Sequence, residues 1–187
     1  VLLVCAIGLA LFAFIAEEFF RGIETNRNQN KQKIGKIDGE TVTVQQFQAL
    51  IDEYSDVLKF TNGVNSLSDE QLTEVKDQIW NTLVNNTIID HESKKIGLTV
   101  TDEEIQSIIN EGRNPMLQQT PFRNEQTGAF DKDQLTKFLA DYQKMDQANM
   151  PAQYKEYYDQ IYKYWTFIEK NLRTNTLAEK YQTLLSK

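Results

Sequence analysis

The first sixteen residues form an uninterrupted apolar run, VLLVCAIGLALFAFIA, without a charged, amide or hydroxyl side chain. A sixteen-residue helix spans only about 24 Å, whereas about 20 residues are needed to cross about 30 Å of hydrocarbon. We therefore expect the true start of the protein to lie upstream, and we predict a transmembrane anchor over residues 1–20. The predicted anchor residues are Val1, Leu2, Leu3, Val4, Ile7, Leu9, Leu11, Phe12, Phe14 and Ile15.

Three other interpretations of this run stay open. A cleaved signal peptide needs small residues at its cleavage site, but the best candidate, residues 11–13, is Leu-Phe-Ala. Lipid attachment at Cys5 would require small residues directly before it, where Leu3 and Val4 stand. A buried core helix is compatible with the length. A helix that is apolar on every side, at the end of a polar chain, fits a lipid environment better.

The charge distribution excludes one class of partner. The chain carries a net charge of −7, to which residues 1–33 contribute +1, so residues 34–187 carry −8. Nucleic-acid binding needs a basic surface that neutralises phosphates, and we therefore predict no nucleic-acid partner. The single cysteine lies in the apolar run, so no disulfide can form within the chain.

A polar tether and a β-hairpin are predicted next. Residues 21–33 (RGIETNRNQNKQK) contain one aliphatic and four basic side chains, which is typical of a tether. Within residues 34–44, Asp38-Gly39 separates two short β-prone runs, and this is the strongest short-range hairpin signal. Two strands of this length do not stand alone, so the hairpin needs cover from a helix or from a further strand.

Three successive helices are predicted to begin at capping boxes. In a capping box, a Ser or Thr side chain and a Glu or Gln side chain three residues later each accept a hydrogen bond from the other residue's backbone N–H. Glycines at positions 63, 97 and 112 follow the apolar periodicity of the three helices and predict where each one ends. The capping pairs are Thr43 with Gln46, Ser68 with Gln71, and Thr101 with Glu104.

The second half is predicted to hold a loop and further helices. Residues 113–130 contain two prolines and lack apolar periodicity, which predicts a loop. Asp131 is predicted to cap the next helix, and Pro151 to occupy the first position of the last one. Because the apolar stripe of the last helix breaks near residues 173–176, we expect a kink or a new helix there, capped by Thr176. The predicted fold class is mainly α, with an N-terminal transmembrane helix, a hairpin and about five to six helices of a helical module.

Few residues could carry chemistry. The single histidine, His91, lies inside the second predicted helix, where a lone histidine is expected at the surface without a function. Without a second histidine, or a cysteine outside the apolar run, we predict neither a zinc site nor a Cys/His or Ser/His nucleophile pair. The carboxylates fit helix N-termini and solvated helix faces. We predict no catalytic residue, no cofactor and no metal in this chain.

The last helix is rich in tyrosine, and two interpretations of it are open. In the first, its aromatic side chains fill the core of a small helical domain, with their polar tips at the edge. In the second, they cover a wider arc than the stripe of about 100° that one core contact needs, and the surplus binds unfolded or extended polypeptide. The candidate polypeptide-binding residues are Tyr157, Tyr158, Tyr162, Tyr164 and Phe167, with Phe122 and Met116 of the preceding loop.

Several segments, taken in order, resemble the SurA/PpiD-type periplasmic folding factors. After the anchor and tether, residues 37–43 (IDGETVT) leading to Phe47 are similar to the start of that family's helical domain. Residues 96–105 (IGLTVTDEEI) look like its junction between the second and third helices, and residues 128–131 (GAFD) after Phe122 look like the loop before its fourth helix. Its closing helices are matched by Trp165, Ile168, Glu169, Leu172, Arg173, Lys180, Tyr181 and Leu184.

The resemblance is closest to the membrane-anchored, PpiD-like members, and it implies a location and partners. It implies one span in the bacterial inner membrane, with the body of the protein, residues 34–187, in the periplasm as a chaperone-like domain near the SecYEG translocon. The implied partners are the lipid bilayer and unfolded or nascent secreted and outer-membrane proteins. It also implies a parvulin-type peptidyl-prolyl isomerase domain, but none begins before Lys187, so no catalytic residue is transferred. A membrane-tethered scaffold or accessory subunit of a membrane protein complex is the alternative.

Overall fold

The computed structural model describes residues 33–145 and 150–186. Within these ranges the chain is mainly helical, with five α-helices and one two-stranded hairpin, as predicted. The predicted anchor and, apart from Lys33, the tether lie outside the described residues. No helix within the described ranges is long and apolar enough to cross a membrane. The elements are β1 (Lys33–Ile37), β2 (Glu40–Thr43), α1 (Val44–Asn62), α2 (Asp69–Lys95), α3 (Asp102–Glu111), a 3₁₀ turn (Leu117–Gln119), α4 (Lys132–Lys144) and α5 (Ala152–Leu185).

The hairpin turns at Asp38 and Gly39, whose φ angles are +48° and +88°. Two consecutive residues with positive φ are what a tight two-residue hairpin turn requires, and Asp-Gly supplies them with little strain. Ile37 before the turn and Val42 after it are buried, so each strand contributes a side chain to the covered face. β2 contacts α1, and the hairpin thus obtains the helical cover that two short strands need.

All three predicted capping boxes are present, and they fix where α1, α2 and α3 begin. Gly63 and Gly112 end α1 and α3 in the left-handed conformation at φ +64°, which glycine adopts without a Cβ to strain it. Local sequence signals therefore predict these helices to within about one residue at each end. The boxes pair Thr43 with Gln46, Ser68 with Gln71, and Thr101 with Glu104.

Helix α5 departs from the prediction at two places. Pro151 is the N-cap residue and not the first helical residue, since its backbone is extended at ψ 135° while its carbonyl accepts hydrogen bonds from the N–H groups of Tyr154 and Lys155. The predicted new helix at Thr176 is wrong, because α5 runs unbroken over 34 residues. The Thr176 hydroxyl donates to the Leu172 carbonyl at 2.7 Å, a bond that a threonine inside a helix can make.

The main core lies along α5. The buried positions of this helix recur every three or four residues, which places them on one face. The other core residues come from α1, α3, the loop before α4, and α4 itself, so every one of these segments packs on the same helix. The buried members are Val57, Ile105, Ile109, Leu117, Phe122, Leu135, Ile161, Tyr164, Trp165, Ile168 and Leu172.

A smaller core lies between α1 and α2, and its buried members are Ile51, Val75 and Ile79. Near it, Trp80 of α2 meets Phe47 of α1 edge-on, with ring centroids 5.8 Å apart. The same indole lies over Gly35 of β1, where an added Cβ would come within 3.2 Å of the ring. Glycine at position 35 therefore allows the hairpin to approach α2 closely.

Candidate polypeptide-binding surface

Five aromatic side chains lie together where α4 packs on α5, and we call them the aromatic surface. They are Phe138 and Tyr142 of α4 with Tyr157, Tyr158 and Tyr162 of α5. The rings of Tyr142 and Tyr162 stack with centroids 4.4 Å apart and planes 9° apart. Phe138 stacks on both Tyr142 and Tyr158 at 6.0 Å, and Tyr157 meets Tyr158 edge-on at 5.8 Å. The five rings thus form one connected group.

The aromatic surface is open to solvent on one side. Tyr157 is 56% exposed, and the other four rings are half-buried. The Tyr142 hydroxyl donates to Asp159 Oδ1 at 2.7 Å, and Lys155 Nζ lies 3.1 Å from the other oxygen of that carboxylate. The hydroxyl bond, followed by the lysine, lowers the pKa of Asp159. With the polar edge of Tyr142 fixed in this way, the exposed ring of Tyr157 remains available for contact.

The sequence-predicted binding residues divide between surface and core. Tyr157, Tyr158 and Tyr162 belong to the aromatic surface. Tyr164 and Phe122 lie in the main core, 4% and 5% exposed, so the first interpretation of the tyrosine-rich helix applies to Tyr164. Its position explains this, since it lies three residues after Ile161 and four before Ile168 on the buried face. The remaining two predicted residues, Phe167 and Met116, are half-buried against the main core.

The binding residues predicted from the sequence do not include Phe138 and Tyr142. The signal that could have found them is the spacing of four residues, which places two aromatic rings side by side at the end of an otherwise aliphatic stripe. Their stacking on α5 could not have been inferred, because it depends on how two helices from distant parts of the chain dock.

Two cationic side chains in the C-terminal half of α5 bind the start of α3. Arg173 donates to the Val100 carbonyl at 3.0 Å and to Asp102 Oδ1 at 2.6 Å. Lys180 donates to Glu104 Oε1 at 2.6 Å, and this bond, together with the capping bond from the Thr101 backbone, lowers the pKa of Glu104. These carboxylates lie in the first turn of α3. They therefore pair with the cations of α5 and at the same time stabilise the N-terminus of α3.

A further carboxylate, Glu169, lies half-buried on α5 beside these pairs. Burial raises its pKa, the nearby charge of Arg173 opposes the rise, and the negative charge of Asp102 adds to it. A carboxyl whose pKa is higher in the folded than in the unfolded state binds more protons when folded. Its contribution to stability is therefore present below about pH 4.3 and is lost as pH rises through the folded pKa.

We expect Glu169→Gln to raise the free energy of unfolding at pH 7 relative to the parent chain, and this gain to disappear near pH 4. The amide has similar shape and no charge to bury. Urea unfolding of both chains at the two pH values measures the difference. Glu179→Gln, an exposed change on the same helix, serves as the control and should leave stability unaltered at both. Equal stability of Glu169→Gln and parent at pH 7 would contradict the expectation.

Together, the described residues define a mainly helical domain built along one long helix, with an exposed aromatic surface at one end of that helix. The model of the SurA-like N-terminal domain matches residues 1–139. Because this span covers about three-quarters of the 187 residues, the chain belongs to the SurA-like N-terminal domain family. The match supports the SurA/PpiD-type family predicted from the sequence, a family of the periplasmic chaperone type. No curated protein and no solved structure matches the chain.

The family match ends at residue 139, inside α4. Phe138 therefore lies within the matched span, whereas Tyr142 and the three tyrosines of α5 follow it. Four of the five rings of the aromatic surface thus lie outside the family match.

Proposed function

We propose that this chain is the polypeptide-binding part of a membrane-anchored periplasmic chaperone of the PpiD-like kind. In this proposal residues 1–20 form a single span in the bacterial inner membrane, and the helical domain lies in the periplasm near the SecYEG translocon. Its clients are unfolded or nascent secreted and outer-membrane proteins. Family membership supports the chaperone class, and the apolar run of residues 1–16 supports the anchor.

The observation that carries the proposal is the open face of the aromatic surface. Non-native chains expose aromatic and aliphatic side chains in no fixed arrangement, so a site that holds them needs apolar area without a deep, shape-specific pocket. Rigid tyrosine rings supply such area at a low cost in conformational entropy, and their hydroxyls adapt to different polar partners. The tyrosines that we propose to contact clients are Tyr157, Tyr158 and Tyr162.

Phe122 and Tyr164, which the sequence predicted as binding residues, have a structural role in this proposal. Phe122 meets Trp165 edge-on, with centroids 6.0 Å apart, and Tyr164 donates its hydroxyl to the Gln119 carbonyl at 3.2 Å. Both residues therefore hold the loop before α4 against α5, and a client reaches neither of them on the folded domain. Phe122 also contacts Phe138 of the aromatic surface, with ring centroids 5.3 Å apart.

A double variant, Tyr157→Ala with Tyr158→Ala, should bind unfolded clients about tenfold more weakly than the parent chain. The magnitude follows from aromatic contacts worth about 0.5–1.5 kcal/mol each. The full chain is inserted in lipid nanodiscs, a urea-unfolded outer-membrane protein is diluted into the sample, and light scattering reports the delay of aggregation. Leu185→Ala removes a 70% exposed apolar side chain at the opposite end of α5 and is the matched control. Thermal unfolding followed by circular dichroism verifies that each variant is folded.

A folded double variant that still protects the client as well as the parent does would overturn the assignment of the aromatic surface. A second experiment distinguishes the scaffold alternative from the chaperone. A photo-crosslinking amino acid replaces Tyr157 in cells that are exporting proteins, and its crosslinked partners are identified. Crosslinks to many nascent chains of different lengths support the chaperone. A single crosslinked protein of constant size, present in equal amount whether or not export is blocked, supports a permanent subunit of a complex.

A further inference from the structure

The hairpin turn and helix α2 bring together three side chains that can ligate a metal. Asp38 lies in the turn between β1 and β2, while His91 and Glu92 are neighbours near the end of α2. One ligand atom from each, two carboxylate oxygens and one imidazole nitrogen, lie within 4.8 Å of one another. His91 Nδ1 already contacts Asp38 Oδ2, so the two elements meet at this point across 53 residues of sequence.

We propose that Asp38, His91 and Glu92 form a binding site for a divalent transition-metal ion of the Zn²⁺ class. An imidazole nitrogen with two carboxylate oxygens is a donor set that such ions accept, at about 2.0–2.2 Å per bond, and water completes the coordination. Because the sequence-based expectation considered only histidine and cysteine partners for His91, it missed a donor set completed by carboxylates from two elements.

Small side-chain movements suffice to close the site. In a tetrahedral site with bonds of about 2.1 Å, the ligand atoms lie about 3.4 Å apart, so separations of up to 4.8 Å must shrink by up to about 1.4 Å. The three side chains are 37% to 44% exposed, and they can rotate without disturbing the core. The metal would take the place of the proton that joins His91 to Asp38.

A neighbouring cation, Lys95, competes with the metal for the carboxylates. Lys95 Nζ lies 2.6 Å from Glu92 Oε1, and its positive charge also acts on Asp38. This lysine is 52% exposed and can swing away, since an exposed ion pair is worth only about 0–1 kcal/mol. A bound divalent ion exchanges that weak pair for direct bonds, and it joins the hairpin turn to α2 more firmly than the single His91–Asp38 contact does.

The single histidine of the chain gives a direct test. The full chain in detergent micelles, labelled with ¹⁵N-histidine, is titrated with ZnCl₂ at pH 7 and the imidazole nitrogen resonances are followed. We expect them to shift and to saturate at one equivalent of Zn²⁺. Imidazole resonances that do not move while Zn²⁺ is bound elsewhere on this acidic chain would overturn the proposal.

Two variants test the carboxylates. Asp38→Asn keeps the turn, since Asn-Gly is as suitable for a tight hairpin as Asp-Gly, and Glu92→Gln keeps the shape of its side chain. Each variant is expected to weaken Zn²⁺ binding at His91 by at least about tenfold. Loss of a group that only hydrogen-bonds to a metal ligand already weakens binding by about that much. Asp90→Asn removes a neighbouring charge that is paired with Lys94 and should leave the affinity within about twofold. Equal losses in all three variants would show a general charge effect and reject the site.

Discussion

Replacing Trp165 with alanine is expected to lower the free energy of unfolding by about 3–5 kcal/mol. The indole is 4% exposed in the middle of the main core, where it meets Phe122 edge-on at 6.0 Å. Alanine would leave a cavity between α5 and the loop before α4, and neither can move far because the Tyr164 hydroxyl still donates to the Gln119 carbonyl of that loop. Since domains of this size are stable by only about 5–15 kcal/mol, a large part of the total would be lost.

Urea unfolding followed by circular dichroism measures the effect of Trp165→Ala. Tyr154→Ala is the matched control, because it removes an aromatic ring of the same helix that is 55% exposed, and it should change the free energy by no more than about 0.5 kcal/mol. A loss below about 1 kcal/mol for Trp165→Ala would mean that the loop before α4 does not pack on α5 as described.

Arg173→Leu is expected to lower the free energy of unfolding by about 2 kcal/mol. Breaking a fully buried ion pair from one side costs about 3–5 kcal/mol, and this pair is partly exposed, with Arg173 at 23% and Asp102 at 41%. The change also removes the donor to the Val100 carbonyl and the positive charge that opposes the rise in the pKa of Glu169. Leucine keeps an apolar stem of comparable reach, so lost packing is a small part of the effect.

Lys170→Leu is the matched control for Arg173→Leu. Lys170 is 46% exposed and pairs with Glu53 of α1 at 2.8 Å, and an exposed pair contributes only about 0–1 kcal/mol. Chemical denaturation of the two variants at pH 7 should therefore separate them clearly. If both lose the same free energy, the contact between α5 and the start of α3 is no stronger than an ordinary surface ion pair.

The parts of the fold that follow local rules could be predicted from the sequence. The Asp38-Gly39 turn, the three capping boxes and the terminal glycines depend only on residues within a few positions of one another. The new helix predicted at Thr176 was wrong because more than the neighbouring residues decides how this segment folds. Its hydroxyl has two local choices, a capping bond or a bond back to the Leu172 carbonyl, and the packing of the whole helix decides between them.

The candidate site was only partly predictable because it depends on how distant elements dock. Tyr157 and Tyr164 are chemically the same and lie two turns apart, yet one is 56% exposed and the other 4%. The helical period places both tyrosines on nearly the same face of α5, so it does not show that the packed core begins only after Tyr157. The contact of His91 with Asp38 was even less predictable, since nothing in the sequence of α2 indicates that a hairpin turn lies beside it.

The position of α5 has a consequence for how this family's domain is delimited. The family match ends at residue 139, but five of the eleven buried side chains of the main core belong to α5, which begins thirteen residues later. Without that helix, Ile105, Ile109 and Leu135 would face water. The span that matches the family model is therefore shorter than the span that supplies the main core. The boundary of the family match and the boundary of the packed core thus differ in this protein.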